Sequence, residues 1–230
     1  MLVMVTKLKG GSGATTITRE LATYAAHNGQ SVAVIDLDGQ ASLTNWWQRR
    51  AGDMAGPALL QLDIRDIPER ADALRVKYDL VLIDTPPSVH NQLGKLAAVA
   101  DKILIPTRTT PDDLDTIGAV LRMVAGHGVG NDRITFVLTA TAGKRSVDAA
   151  QAAQLLSERG QVLGRTCNRA AYYRPAYDGL TANETDTTSR TEIAEIYKNL
   201  TGIKTNGSAK KKTSSSRKNG QSRSGRSREG

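Results

Sequence analysis

Runs of Val, Ile and Leu punctuate this 230-residue chain from Leu2 to Thr6, Ser31 to Leu37, Tyr78 to Asp84, Lys102 to Pro106 and Ile134 to Leu138, with helix-length segments between them. Strands that are apolar on both faces belong inside a sheet covered on both sides, and the intervening helices supply both the covers and the parallel crossovers. The alternation predicts one α/β domain over residues 1–203, built on a doubly wound, mostly parallel sheet. The expected helices are Thr15 to about His27, Leu43 to Arg50, Asp66 to Lys77, Val89 to Ala98, Asp112 to Ala125, Ser146 to Glu158 and Arg190 to Leu200, and Gln161 to Arg165 is a further strand candidate. At 39% apolar residues the chain can fill one sizeable core.

Between the first strand and the first helix stands Lys9-Gly10-Gly11-Ser12-Gly13-Ala14-Thr15-Thr16. Glycines let consecutive backbone N–H groups turn inward around an anion, and the helix that starts here adds the positive end of its dipole. A hydroxyl directly after such a loop, here Thr15, is placed for magnesium. Asp36, Asp38 and Asp84 stand at or just past the ends of apolar runs, where carboxylates of a parallel sheet face the ligand crevice. Each alone serves equally well as an ordinary strand-end cap. Three of them beside one glycine loop predict a phosphate and metal site.

The loop resembles the deviant Walker motif KGGxGKT[ST] of the ParA/MinD ATPases, with Lys9 at the family's extra lysine. Val34-Ile35-Asp36-Leu37-Asp38-Gly39-Gln40-Ala41-Ser42 is similar to the family's D-x-D-P-Q segment, and Val81-Leu82-Ile83-Asp84-Thr85-Pro86-Pro87-Ser88 to its Walker B strand end. The likeness covers about residues 1–200 and is strongest for the small plasmid-partition ParA proteins, because one strand precedes the loop. It implies a P-loop NTPase fold with ATP and Mg2+ as cofactors. Asp38 would position the attacking water, Asp84 would hold magnesium through water beside Thr15, and Lys9 would reach the partner's phosphates across a nucleotide-sandwich homodimer. It also places Pro106-Thr107-Arg108-Thr109-Thr110-Pro111 near the adenine, although that loop serves equally as the Pro-bounded start of a helix. Asn168, after the last strand candidate, is a candidate for a base-edge contact.

The function so implied is an ATP-dependent switch for DNA partition or cargo positioning. The ATP-bound dimer binds DNA without sequence preference, and a small centromere-binding or adaptor protein stimulates release, in the cytoplasm on the nucleoid. Two residues depart from the family pattern. Gly39 stands in place of proline, which loosens the turn after Asp38. Ala14 stands where the loop lysine contacts the β- and γ-phosphates. A charge-assisted hydrogen bond contributes about 1.5–3 kcal/mol, so its loss weakens nucleotide binding roughly 10- to 150-fold. Retained binding with weak hydrolysis at most is therefore expected. The alternative is a non-hydrolysing nucleotide-sensing adaptor or regulator that binds DNA or protein. An electron-transfer ATPase related to the nitrogenase iron protein needs two cysteines per subunit, and this chain has one, Cys167.

Charge divides the chain sharply: residues 1–203 hold 22 Lys/Arg against 22 Asp/Glu, whereas residues 204–230 hold nine against Glu229 alone. The second segment is rich in Ser, Gly and Asn and is expected to be disordered. Lys210, Lys211, Lys212, Arg217, Lys218, Arg223, Arg226 and Arg228 suit sequence-independent contact with DNA phosphates. The segment has no apolar face for a membrane, and no run approaches the length of a span. His27, His90 and His127 share no ligand spacing. Of Trp46 and Trp47, one is expected to pack and one to be exposed, and Tyr172, Tyr173, Arg174 and Tyr177 read first as a local packing cluster.

Overall fold

The computed structural model describes residues 1–203 apart from Ala51, Asp53, Val89 and Lys144. Its strands are β1 (Leu2–Lys7), β2 (Val32–Asp36), β3 (Ala58–Leu60), β4 (Leu80–Pro87), β5 (Lys102–Thr107), β6 (Ile134–Thr141) and β7 (Gln161–Cys167). Among the described residues they form one seven-stranded sheet in the order β3-β2-β4-β1-β5-β6-β7, and every pairing is parallel. Chain connections leave the centre of the sheet in both directions, so the crevice falls at the carboxyl ends of β4, β1 and β5.

The helices are α1 (Ala14–His27), α2 (Ser42–Arg49), α3 (Ile67–Lys77), α4 (Asn91–Val99), α5 (Pro111–Ala125), α6 (Val147–Ser157), α7 (Ala182–Thr185) and α8 (Thr187–Thr201). Because successive side chains of a strand point to opposite faces, β1 feeds two cores. Leu2 and Met4 pack with the buried faces of α3, α4, α5 and α6. Val3 and Val5 pack with those of α1, α2, α7 and α8. Trp46 is fully buried in the second core and donates its indole N–H to Leu180 O at 3.1 Å, while Trp47 is 36% exposed.

Several boundaries differ from the sequence reading. The three residues of β3 are too few to show a period, and they exist by pairing with Ala33, Val34 and Ile35 of β2. The Thr110 hydroxyl caps α5 by accepting from Asp113 N, with Asp112 in the first turn, and the His90 ring caps α4. Helix α8 starts at Thr187 rather than Arg190 because Asp186 accepts from the Ser189 N–H. Cys167 is a free, buried thiol. No helix among the described residues is long and apolar enough to cross a membrane. The basic segment 204–230, with the candidate DNA contacts from Lys210 to Arg228, lies outside the described residues.

Candidate functional site

The loop between β1 and α1 turns through left-handed backbone at Gly11 (φ 81°) and Gly13 (φ 88°), the latter capping α1 without any side-chain hydrogen bond. A side chain at Gly13 would be strained, and its Cβ would lie 3.2 Å from the Thr139 methyl. Thr139, on β6, fixes the loop from below, its hydroxyl within 2.7 Å of Ser12 O and 3.2 Å of Thr107 O. Helix α1 thus presents first-turn N–H groups that no side chain caps, the arrangement suited to an anion. The Ser12 hydroxyl is buried and has no hydrogen-bond partner among the described residues.

Three carboxylates meet at this end of the sheet, and their environments separate their roles. Asp36, in register with Asp84, is committed to the turn: its oxygens accept from Thr44 N at 2.8 Å, Thr44 Oγ1 at 3.0 Å and Asp38 N at 3.1 Å. Asp84 is fully buried and accepts from the Thr15 hydroxyl at 2.5 Å. Burial pushes its carboxyl above the usual carboxylate range, against the pull of the Lys7 ammonium and the Thr15 hydrogen bond. Asp38 turns one oxygen to Gln40 N at 3.1 Å and the other to Lys7.

Lys7 is the residue that sequence reasoning missed. Its Nζ lies 3.1 Å from Asp38 Oδ2 and 3.2 Å from Asp84 Oδ1, and the side chain is only 7% exposed. The irregular register between Val5 and Lys7 re-aims the strand end across β4 toward β2. A lysine ending an otherwise apolar strand was the available signal. Ala14, by contrast, is 2% exposed and packs its methyl in the second core.

The remaining candidates are spread around this centre. Lys9 is half exposed and pairs with Asp113 of α5 at 3.6 Å. Pro106 and Thr107 form the buried end of β5, while Arg108, the next residue, is exposed beside Gly11. A cleft of about 200 Å³ runs from Gly11, Gly13 and Thr16 past Arg108 to Asn168, Arg169 and Tyr173. Asn168 is exposed there and its N–H donates to Thr141 O at 2.8 Å. Tyr172 is tied inward, its hydroxyl donating to Glu192 Oε2 at 2.6 Å; Tyr173 and Tyr177 are exposed.

A parallel sheet with a glycine loop feeding a helix, and carboxylates at the adjoining strand ends, defines a P-loop nucleotide-binding fold. The chain belongs to the CobQ/CobB/MinD/ParA nucleotide binding domain family, which matches residues 3–179. Over 136 residues it is 32% identical to Protein ParA of Rhizobium radiobacter, covering 57% of this chain and 60% of that protein. A protein of Thermus thermophilus described as a plasmid-partitioning ParA is 27% identical over 150 residues, 49% of this chain and 46% of that one. The chain thus matches about half the length of these relatives. Among solved structures, the septum site-determining protein MinD of Pyrococcus horikoshii complexed with Mg-ADP has a TM-score of 0.68 at 17% identity, covering 86% of this chain and 94% of that one. A Borrelia burgdorferi B31 protein described as a plasmid partition protein, bound to AMPPNP, scores 0.66 at 19% identity over 87% and 98%. The pNOB8 ParA bound to nonspecific DNA scores 0.56 at 20% identity over 68% and 73%. At these identities the structural likenesses show the fold.

Proposed function

We propose that the protein is a ParA-like ATP-dependent switch that partitions DNA or positions another cargo, as a nucleotide-dependent homodimer that binds DNA without sequence preference. The observation that carries the reading is the Thr15 hydroxyl donating to Asp84 at 2.5 Å beside a glycine loop whose helix lacks a side-chain cap. A hydroxyl and a carboxylate are hard oxygen donors, and magnesium takes one or two such protein groups and completes its shell with phosphate and water. Thr15 directly, and Asp84 through water, are the residues that fit it; when bound, the ion neutralises charge on the β- and γ-phosphates. Residues Lys9 to Thr16 cradle the phosphates, Asp38 orients the attacking water, and the cleft from Arg108 to Asn168 receives the nucleoside.

The relatives' names and the neighbour bound to nonspecific DNA support a partition role, and the cationic segment 204–230 supports DNA as the surface. A small adaptor or centromere-binding protein completes the cycle by stimulating release, in the cytoplasm on the nucleoid. Without a lysine at position 14 the loop itself brings no ammonium to the β- and γ-phosphates. Sedimentation velocity in Mg-ATP, in Mg-ADP and without nucleotide tests the reading. A dimer in Mg-ATP alone supports it, and a monomer in all three conditions overturns it.

A further inference from the structure

We propose that Lys7 supplies the cation that the loop lacks at position 14, its ammonium contacting the terminal phosphate of a bound nucleoside triphosphate. The proposal rests on reading the loop as a triphosphate site. The two carboxylates within 3.2 Å of Lys7 Nζ are the ones that, on that reading, flank the transferable phosphate, Asp84 on the metal side and Asp38 on the water side. A cation touching both stands where charge develops when that phosphate is transferred.

The other nearby cations are placed differently. Lys9 is half exposed and turned to Asp113, and Arg108 lies over Gly11 at the exposed rim. Lys7, by contrast, is buried between Asp38 and Asp84. Exchanging one carboxylate oxygen for a phosphate oxygen leaves the buried Lys7 nitrogen between anionic partners. Set against the family motif, a lysine is absent from the first turn of α1, where Ala14 places a methyl in the core, and one is present at the last residue of β1.

The test is a set of titrations with Mg2+-AMPPNP and Mg2+-ADP on the parent, Lys7→Met, Arg108→Ala and the double variant Lys7→Met/Ala14→Lys, with circular dichroism to check folding. Lys7→Met is expected to weaken AMPPNP binding about 10- to 150-fold, the worth of one charge-assisted hydrogen bond, and ADP binding by less than threefold. The double variant is expected to regain most of the AMPPNP affinity. Should Lys7→Met fail to fold, Lys7→Met/Asp38→Asn, which removes one carboxylate with the cation, is titrated in its place with the same expectation. AMPPNP affinity within twofold of the parent, equal losses for the two nucleotides, or a selective AMPPNP loss in Arg108→Ala but not in the Lys7 variant overturns the proposal. A parent that binds neither nucleotide overturns the triphosphate reading itself.

Discussion

Lys9 Nζ stands 3.6 Å from Asp113 Oδ1, so the ammonium assigned to a partner's phosphates is paired to helix α5 of its own chain. Asp113 is itself held by the Thr110 hydroxyl at 2.6 Å, which leaves Lys9 as the movable member. With Lys9 half exposed and the contact long, the pair contributes about 0–1 kcal/mol, little enough for a phosphate to replace it. Lys9→Ala is expected to abolish ATP-dependent dimerisation with the fold intact. Asp113→Asn is expected to tighten the dimer, by no more than about fivefold. Sedimentation equilibrium of both variants with Mg-ATP checks this, and a Lys9→Ala protein that dimerises like the parent contradicts the sandwich arrangement.

The loop is built on Gly13, and its replacement separates backbone need from mere proximity. Gly13→Ala places a Cβ at φ 88° and 3.2 Å from Thr139, at a cost of about 1–2 kcal/mol from handedness alone. A lower Tm together with at least a tenfold loss of AMPPNP affinity is expected. Gly10→Ala, with nothing within 4 Å of the added carbon, is the stability control and should stay within about 0.5 kcal/mol of the parent.

The fold was legible because five of its strands are long apolar runs, and a parallel sheet buried on both faces has no other way to look in sequence. The loop and the Asp84 strand end were legible from residue type and spacing. Strand β3 was not, because three residues carry no period, nor was α7, a single turn held by Glu20 accepting from Ala182 N at 2.7 Å and Asn183 N at 3.0 Å. Lys7 escaped because a lysine at a strand end reads as a solvent-facing terminus. Only the register shift after Val5, together with Asp38 delivered from the turn after β2, makes it an interior cation. Asp36 shows the reverse: it shares a motif with Asp38, yet Thr44 and the turn backbone occupy both of its oxygens.

Helix α8 packs on β7 and closes the second core, and its start depends on Asp186. Hydrogen bonds from the Ser189 hydroxyl and backbone N–H hold the Asp186 carboxyl below its ordinary 3.8. A depressed acid contributes stability that is fully present above 3.8 and is lost as pH falls through the folded-state value. Asp186→Ala should cost about 1 kcal/mol at neutral pH, and the difference from the parent should shrink below pH 4. Asp186→Asn, which still caps, should lose little at pH 7. Urea unfolding of the three proteins at pH 7 and at pH 3 checks the sign, and a gap that widens on acidification refutes it.

Removing residues 204–230 deletes nine Lys/Arg and one Glu. If about six of those cations meet phosphates, they contribute roughly −5 to the slope of log affinity against log salt. The truncated protein should therefore bind DNA weakly at low salt, with a flattened slope and unchanged AMPPNP affinity. An unchanged slope assigns the contact to the folded domain instead, where Arg174 is exposed while Arg169 and Arg190 are engaged with Glu192 and Asn183 O.

Nucleotide state is expected to govern attachment to DNA of any sequence. Fluorescence anisotropy of two unrelated duplexes of equal length is followed against the full chain in Mg-ATP, in Mg-ADP and without nucleotide, at a single fixed salt concentration. Tight binding is expected in Mg-ATP, equal for the two duplexes within about twofold, with at least tenfold weaker binding in the other two conditions. Equal affinity in all three conditions, or a clear preference for one duplex, contradicts it.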